Sequence, residues 1–415
     1  MSTLARPRLV FVSPLFLFPN DAGGKIRTTN ILRGLKGGAF EIILVGVATA
    51  EQQARWATEL AGVCDEFVPW APQPARAKWQ RAGDLLNALP VNVVADRSAA
   101  GRRAVQQVLA RRDINLVVFD FVHSAVLCPD VLLCPSLCFT HNVEAEIFAR
   151  HASQASDLPR RLMWQSQHRK MVAYEGAALR RFDAVIAVSE RDAAKFRADY
   201  AIADAAAIPT GVDLDFFAFA PTPAVTETAP PTVVFTGSMD WAANIDGVRY
   251  FLNEIWPLVL AAVPTARFRV VGRSPPAALT QAAAAKLPSV ELTGFVDDVR
   301  PYVQSAQAFV IPLLVGGGTR IKAFEAMSMG CPVVSTRIGI EGLDAEPERH
   351  FLERDGSAAF AQGVIELLQQ DSLRQRPALA ARQLVEQRFG HAVAARAFET
   401  ICLRVAGPGH EQKAA

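Results

Sequence analysis

The sequence lacks two features that would suggest a place outside the cytoplasm: a long hydrophobic run and cysteines spaced for pairing. Its 415 residues include six cysteines but no Cys-x-x-Cys pair, and we predict buried free thiols in a reducing compartment. The most apolar window, residues 116–140, is interrupted by charged residues and prolines, unlike a transmembrane helix of about 20 apolar residues. The N-terminal segment runs straight into a strand without the apolar core of a signal peptide. We therefore expect a cytoplasmic protein with no membrane span.

An excess of one charge is also missing, as are the common nucleotide-binding motifs. The formal net charge of +2 gives no reason to expect a nucleic-acid partner. The segment around Lys25 is not a Walker A loop, because Ile26 stands where Ser or Thr is needed. No Gly-x-Gly-x-x-Gly follows a predicted strand, which argues against a dinucleotide dehydrogenase. Because no Asp-x-Asp motif stands at a position suited to a metal, we predict neither a metal site nor a cofactor.

What the sequence does contain is a regular alternation of short apolar runs and helical segments. The runs lack a clean polar alternation, which is typical of strands buried on both faces of a parallel sheet. With helices between them, they indicate an α/β architecture. The predicted strands are RLVFVSP, EIILVGVA, NLVVFDF, SLCFTHN and AVIAVSE in the first half, and TVVFTGS, ARFRVVGR, VELTGF, AFVIPL and PVVSTR in the second.

The two halves meet in a segment rich in proline, threonine and alanine. We predict an N-terminal domain over residues 1–212, an interdomain linker over 213–231, a C-terminal domain over 232–405 and a disordered tail over 406–415. The predicted fold is a pair of doubly wound, Rossmann-like α/β domains that face a cleft. In such sheets ligands bind outside the carboxyl ends of the strands, so functional residues should follow strands.

The stretch VGGGTRIKAFEAMSMGCPVVST, residues 315–336, predicts an anion site after the strand AFVIPL. Its glycines let the backbone approach a ligand closely, and the helix that follows offers unpaired N–H groups and a partial positive charge. Arg320 and Lys322 add full positive charges in the first turn, where they oppose the helix dipole unless an anion is bound. The turn itself comprises Gly316, Gly317, Gly318 and Thr319.

Glu325 is predicted on the apolar side of the same helix, beside Ile321. A carboxylate there is unfavourable unless it is hydrogen-bonded, and sugar hydroxyls are suitable donors. A salt bridge to a nearby cation, or partial exposure, would explain the residue equally well.

The glycine-rich turn, the FEAMSMGCPVVST segment and the strand that follows resemble the donor-sugar motif of retaining GT-B glycosyltransferases, in particular glycosyltransferase family 4. The GGGTRIKAFEAM version resembles most a bacterial subgroup found with exopolysaccharide and exosortase-type systems. The resemblance implies metal-independent transfer of a hexose from a nucleotide-diphospho-sugar to an acceptor hydroxyl. Glu325 would hold the ribose hydroxyls. The family usually carries a second Glu where Gly317 stands, so backbone amides alone would remain there for sugar and phosphate.

The resemblance also assigns the segments after the other strands of the C-terminal, donor-binding half. Gly237 and Ser238 fit the tight turn after the first strand, but the Arg and Lys that the family tends to carry there on the pyrophosphate are missing. Arg320 and Lys322 could compensate and stabilise the leaving diphosphate. Arg273, after the strand FRVV, is either another cation of this site or a solvated strand-end arginine.

Five further positions come from ELTGFVDDV and from the N-terminal, acceptor-side half. Phe295 and Val296 would pack against the nucleobase. Gly23 and Gly24 precede an amphipathic helix and resemble the family's first loop, whose amides face the donor phosphate; an ordinary glycine turn is the alternative. His141 ends a strand, and in the family a His near this position contacts the transferred sugar; a structural histidine with its hydrogen bonds satisfied is the alternative.

Two alternatives to a transferase remain at this point. The first is a catalytically weak or inactive GT-B binding subunit, suggested by Gly317, and the second is a nucleotide-sugar epimerase of the same architecture. The acceptor would be a lipid-linked molecule or a polysaccharide. Residues 160–183 combine basic and apolar side chains, which suits either peripheral contact with an anionic membrane at its inner face or an ordinary core-packed helix with a solvated basic face.

Overall fold

The computed structural model describes residues 6–20, 23–74, 83–155, 157–221, 223, 230–239, 241–286, 288–315, 321–341 and 343–407. These residues form two compact units. Unit 1 contains the chain up to Gly211 together with the chain from His391 onward, and unit 2 is Val212–Gly390.

Unit 1 is built on a parallel sheet of seven strands in the order β3-β2-β1-β4-β5-β6-β7. Two separate hydrophobic clusters pack on its two faces, because the strands are apolar at nearly every position rather than at alternate ones. The strands are β1 Arg8–Ser13, β2 Glu41–Val47, β3 Glu66–Trp70, β4 Ile114–Asp120, β5 Ser136–Phe139, β6 Ala184–Ala187 and β7 Ala205–Ala207.

Four helices of unit 1 begin after a side chain that caps the helix N-terminus. Asp157 caps one helix by accepting from the backbone N–H of Arg160, and Ser189 caps another through Asp192. The N-terminal helices are α1 Gly23–Leu35, α2 Ala50–Arg55, α3 Ala57–Ala61, α4 Val91–Asp96, α5 Ala99–Leu109, α6 Glu144–Gln154, α7 Leu158–Leu179 and α8 Glu190–Tyr200, with a 3-10 helix at Val122–Leu127.

Unit 2 is built on a parallel sheet of six strands in the order β10-β9-β8-β11-β12-β13, again with a hydrophobic cluster on each face. The strands are β8 Thr232–Thr236, β9 Arg267–Val271, β10 Val290–Gly294, β11 Ala308–Ile311, β12 Val333–Ser335 and β13 Leu352–Glu353. The helices are α9 Ala242–Tyr250, α10 Trp256–Ala262, α11 Ala277–Ala284, α12 Arg300–Gln304, α13 Ile321–Ser328, α14 Arg337–Ile340, α15 Ser357–Gln369 and α16 Asp371–Arg388, with a π-helical turn at Phe251–Ile255.

Both strand orders reverse direction once, between β1 and β4 in unit 1 and between β8 and β11 in unit 2. This is the doubly wound arrangement, in which ligands bind at the carboxyl ends of the strands beside the reversal. The predicted fold class, two Rossmann-like α/β domains, is confirmed. The short strands β3, β7 and β13 are additions to the predicted set.

The last helix, α17 His391–Ala406, packs on unit 1, whereas the sequence-based division gave it to the C-terminal domain. A Cβ placed on Gly34 of α1 would lie 2.2 Å from the Ala395 Cβ, so the two helices meet at very short range. Phe398 packs against Phe11 and Phe139 of the sheet, with ring centroids 6.4 and 5.2 Å apart. The helix therefore completes the core of unit 1.

The segment predicted as an interdomain linker also has defined contacts where it is described. The backbone N–H of Val212 donates to Phe389 O (2.8 Å), and the Asp213 carboxylate accepts from the N–H of Phe216 (2.9 Å). These contacts place the start of the segment in unit 2. Residues 222 and 224–229 of the linker and 408–415 of the predicted tail lie outside the described residues.

All six cysteines are free, five of them buried and Cys134 half-buried, which agrees with the predicted free thiols. No helix in the described part of the chain is both long and apolar enough to cross a bilayer.

We predict that Phe398→Ala destabilises unit 1 strongly, because it removes a fully buried ring between two sheet residues. Such truncations typically cost about 3–5 kcal/mol of unfolding free energy. Urea unfolding followed by fluorescence and circular dichroism measures this cost. Leu403→Ala, on the exposed side of the same helix, is the matched control, and equal effects of the two changes would contradict the assignment of α17 to the core.

Candidate functional site

A buried polar cluster lies at the carboxyl ends of β1, β4 and β5 in unit 1. Asp120, at the end of β4, is fully buried and accepts hydrogen bonds from Ser13 Oγ (3.1 Å) and Thr28 Oγ1 (3.0 Å) at Oδ2. Its Oδ1 lies 2.7 Å from His141 Nε2. The carboxylate therefore has a donor on each oxygen, which makes its burial tolerable.

The imidazole of His141 is held in one orientation by this carboxylate and by aromatic rings. It stacks on Phe121, with ring centroids 4.0 Å apart and planes 18° apart, and also contacts Phe139 at 4.5 Å. Burial lowers the pKa of His141 although the charge and hydrogen bond of Asp120 oppose the shift. A neutral ring that donates from Nε2 to Asp120 keeps Nδ1 as an acceptor, and among the described residues nothing donates to Nδ1.

Phe121 adopts a positive φ of 65° to bring its ring under His141. The same ring explains one of the predicted glycines, because a Cβ on Gly24 would lie 2.6 Å from its tip. Gly23 has open space around its Cβ position. Both glycines are the first two residues of α1, whereas the sequence placed them just before the helix. Gly24 is required for the close approach of the Phe121 ring.

Three buried side-chain atoms of the described residues have no hydrogen-bond partner: Arg27 Nε, Asn30 Nδ2 and His141 Nδ1. Two of them belong to α1, the helix that also supplies Thr28 to Asp120. Burial lowers the pKa of Arg27 to about 10, against the attraction of Asp192 and Asp120. Unsatisfied buried polar groups are costly, so their concentration here indicates a region that can take a polar ligand.

The segment after His141 is held by a second buried carboxylate, Glu175 of α7. It accepts from the backbone N–H of Glu144 (2.8 Å) and Ala145 (3.2 Å) at the start of α6, and from Tyr200 Oη (2.8 Å). Burial raises the pKa of Glu175 to about 7 despite these three bonds. The carboxylate thus caps α6 and fixes the chain next to His141.

A cavity of about 480 Å³ opens in the same unit beside the ends of β1, β2 and β3, where Pro14, Val47 and Trp70 line it. Asp96 lines it as well and contacts His123. Burial lowers the pKa of His123, but the hydrogen bond and charge of Asp96 outweigh this and raise it overall.

In unit 2 the turn after β8 has no room for side chains. A Cβ on Gly272 would lie 1.8 Å from Gly237 O, and the Gly237 N–H donates to Val271 O (2.9 Å). A Cβ on Gly237 would lie 2.8 Å from both Asn244 Nδ2 and Lys322 Nζ. The space beside Gly237 is therefore bounded by the side chains of Asn244 and Lys322, and the backbone of Gly272 packs directly against the turn.

Two cations reach this turn. Lys322 Nζ of α13 donates to Asn244 Oδ1 (2.9 Å) and lies 4.2 Å from the centroid of the Phe235 ring. Arg273 Nε, after β9, donates to Ser238 Oγ (3.0 Å). The structure thus brings together four of the residues predicted for the donor site: Gly237, Ser238, Arg273 and Lys322.

Glu325 is half-buried on α13, one turn after Lys322. No hydrogen-bond donor and no cation within 4.0 Å pairs with its carboxylate in the part of the chain that the structure describes. Burial raises its pKa to about 7, and the charge of Lys322 opposes the rise. A salt bridge, the simpler explanation of this residue, is absent among those residues.

Two of the remaining residues predicted for the donor site, Phe295 and Val296, lie within the described part of the chain. Phe295 follows β10 and is 71% exposed, and Val296 beside it is half-buried. The Gly316–Thr319 turn and Arg320 lie outside the described residues.

Comparison with protein families gives two matches. Residues 54–216 match the model described as Glycosyltransferase Family 4, and residues 230–370 match Glycosyl transferases group 1. The phosphatidyl-myo-inositol mannosyltransferase of Mycobacterium leprae is 29% identical over 205 residues, which cover 48% of this chain and 54% of that protein. The chain spans about half the length of the curated relatives it matches.

Solved structures match over nearly the whole chain. Sucrose-phosphate synthase from Thermosynechococcus elongatus has a TM-score of 0.65 at 16% identity, covering 96% of this chain and 99% of its own. Anabaena HepE in complex with UDP and glucose has a TM-score of 0.62 at 13% identity, covering 95% and 99%. At such identities the likeness concerns the fold alone, but it agrees with both family matches. The chain has the GT-B fold, and its two halves each match a glycosyltransferase family model.

Two side chains of these clusters, Asp120 and Asn244, were not identified from the sequence. Asp120 ends the apolar run NLVVFDF, and a carboxylate directly after a buried strand was the signal that could have marked it. Asn244 left no such signal, because its role depends on Lys322, which lies 78 residues later.

We predict that Glu325→Gln stabilises the fold at pH 8 and leaves it nearly unchanged at pH 4. The native pKa of about 7 exceeds the ordinary 4.5, so the native state binds more protons between these values, and wild type loses stability as pH rises through them. The loss is roughly 3 kcal/mol. Unfolding free energies of both proteins from pH 4 to pH 8 measure it, with the exposed Glu254→Gln as control. A difference that does not grow with pH would contradict the burial of an unpaired carboxylate.

Proposed function

We propose that the protein is a retaining glycosyltransferase that moves a hexose from a nucleotide-diphospho-sugar to an acceptor hydroxyl. The observation that carries the proposal is the half-buried Glu325 carboxylate, which has no donor or cation partner among the described residues and lies beside a turn with two cations. These groups match the two polar parts of a nucleoside diphosphate. The carboxylate can accept hydrogen bonds from the ribose hydroxyls, and the two cations can donate to the phosphates.

In this proposal Glu325 accepts hydrogen bonds from the ribose hydroxyls. Lys322 and Arg273 bind the diphosphate near Gly237 and Ser238. Exposed Phe295 offers an apolar surface to the base, together with Val296. The backbone amides of the Gly316–Thr319 turn, and Arg320, are assigned to sugar and phosphate from the sequence resemblance alone.

The chemical difficulty in such a transfer is the charge that develops on the leaving diphosphate while the sugar becomes cation-like. Fixed cations and N–H groups stabilise that charge most when water is excluded, and each such donor is often worth a few kcal/mol. Lys322 is suited to this role because its hydrogen bond to Asn244 and its contact with the Phe235 ring fix the ammonium before any ligand arrives. The transfer is proposed to need no metal, which activity in EDTA would test.

For unit 1 we assign His141 to the transferred sugar, as the family resemblance implies, and make Asp120 its positioning residue. A hydroxyl can donate to the unpartnered Nδ1 of a neutral His141. The acceptor is assigned to this unit, and the cavity beside Asp96 and Trp70 is the space available to it.

The relatives favour a nucleotide-linked donor and an acceptor at a membrane. The Anabaena structure contains UDP and glucose, and the Mycobacterium leprae relative is by name a mannosyltransferase for phosphatidyl-myo-inositol. At the start of α7, Leu158 and Leu162 are exposed beside Arg160 and Arg161, a combination that suits an anionic lipid surface, while the other side of the helix is buried in the core. A cytoplasmic enzyme of exopolysaccharide or glycolipid assembly at the inner membrane face is therefore our proposal.

The two alternatives predict different products. An inactive binding subunit would bind the nucleotide sugar and release nothing. An epimerase would release free nucleotide from the nucleotide sugar with no acceptor present. A transferase would release nucleotide at a rate that depends on an acceptor, with the anomeric configuration retained.

We predict that one nucleotide and its sugar derivatives raise the Tm of the wild type, in a panel of UDP, GDP, ADP and their hexose derivatives. Glu325→Ala should abolish the shift, because the ribose loses its acceptor, whereas exposed Glu254→Ala should keep it. Thermal denaturation with each ligand is the measurement. If no nucleotide shifts the wild type, the proposed donor site is wrong.

We predict that Asp120→Asn lowers kcat but leaves the KM for the donor unchanged. The change weakens a charge-assisted hydrogen bond to His141 worth about 1.5–3 kcal/mol, which corresponds to about 10- to 100-fold in rate. Ser13→Ala removes another bond to the same carboxylate without touching His141 and serves as the control. Steady-state kinetics on folded variants would refute a positioning role if both changes lower kcat equally.

A further inference from the structure

The two cations near the turn after β8 come from other segments, and each is held by a neutral side chain of the turn or of the helix α9 that follows it. Ser238 directly follows Gly237, and Asn244 lies in the first turn of α9. Lys322 arrives from α13 and Arg273 from the end of β9. The sequence of the turn itself, TGSMDWAANIDGV, carries neither Arg nor Lys.

Asn244 is oriented so that only its oxygen can face Lys322. Its Nδ2 donates to Ser238 O (2.8 Å), which leaves Oδ1 for the ammonium at 2.9 Å. The side chain is 7% exposed, so water does not compete for either bond. The Asn244 amide therefore links the turn to Lys322, with Nδ2 bonded to a backbone carbonyl of the turn and Oδ1 bonded to the ammonium.

The Asn244 amide and the Lys322 ammonium also border the same small space. Asn244 Nδ2 and Lys322 Nζ each lie 2.8 Å from the position that a Cβ on Gly237 would occupy. A longer side chain at position 244 therefore points to the place where the Lys322 ammonium now stands. Nothing larger than glycine fits at 237 without displacing both groups.

Arg273 is tied to the turn in a comparable way. Its Nε donates to Ser238 Oγ (3.0 Å), and its backbone oxygen accepts from the N–H of Met239 (2.9 Å). The guanidinium is thus held beside the second residue of the turn, with its other N–H groups directed by the planar fork of the side chain.

We propose that Asn244 and Ser238 are positioning residues that hold Lys322 and Arg273 as the diphosphate-binding cations of this site. The inference rests on the proposed function, because it needs a diphosphate ligand. The inference goes further than that function in one respect. It states that diphosphate binding depends on the positions of the two positive charges, and not on which segment of the chain carries them. A cation at position 244 can accordingly replace Lys322, and a cation at position 238 can replace Arg273.

The experiment moves each positive charge to the neighbouring position that now holds it. UDP-glucose and GDP-mannose are titrated by calorimetry into wild type, Lys322→Ala and Lys322→Ala/Asn244→Lys, and into the matching set Arg273→Ala and Arg273→Ala/Ser238→Arg. Each single variant should bind about 10- to 100-fold more weakly than wild type. Each double variant should recover most of that loss, which a purely structural role of Lys322 or Arg273 would not allow.

Two variants of Asn244 distinguish the effect on binding of the position of Lys322 from the effect of its charge. Asn244→Ala releases the ammonium and should weaken binding several-fold. Asn244→Asp keeps a hydrogen-bond partner for Lys322, but its carboxylate offsets the positive charge of the ammonium. It should therefore weaken binding at least as much as Asn244→Ala does. Circular dichroism and the Tm without ligand verify that every variant is folded.

The outcomes distinguish this inference from the proposed function. If the wild type binds and the folded double variants stay as weak as the single ones, the inference is overturned and the donor site stands. If the wild type binds neither nucleotide sugar, both are overturned. Recovery in either double variant supports the placement of charge that the geometry indicates.

Discussion

Both sheets are covered on both faces, and this constraint decides where the molecule can carry chemistry. Parallel strands buried in this way admit almost no charged side chain along their length, as the unbroken burial of β5, β6 and β8 illustrates. Polar groups therefore stand where strands end. The cluster around Asp120 in unit 1 and the turn around Gly237 in unit 2 both occupy strand ends beside the reversal of strand order, where helices no longer cover the sheet.

The two carboxylates central to these sites meet the cost of burial in opposite ways. Asp120 is wholly enclosed and takes hydrogen bonds from Ser13, Thr28 and the ring of His141, so it serves as a fixed part of the scaffold. Glu325 is less buried, yet no donor in the described residues satisfies it, and its pKa rises to about 7. An unsatisfied acceptor reduces the stability of the unliganded protein and increases what a hydroxyl-rich ligand can gain by binding, which is a common compromise at binding sites.

The sequence predicted the fold well and the site in part, for different physical reasons. Strand burial and helix periodicity are local patterns, so both doubly wound sheets could be recognised, whereas the Ala-rich β7 and the two-residue β13 carry too little pattern. The membership of α17 was missed because an amphipathic helix shows that it packs, but not on which sheet. Glu325 and Lys322 could be proposed from the sequence because they share one short motif. Asp120 and Asn244 were missed because their partners are distant in sequence.

The turn after β8 shows why an absent motif is weak evidence of an absent function. Read alone, its sequence lacks both cations that the family tends to place there, and a loss of phosphate binding would be a reasonable conclusion. In three dimensions Lys322 and Arg273 reach the turn, and Asn244 and Ser238 accept their hydrogen bonds. Electrostatic attraction depends on the distance between charges and on the dielectric around them, and not on the segment that carries them. The arrangement also requires glycine at position 237, because a side chain there would occupy the space of the Lys322 ammonium.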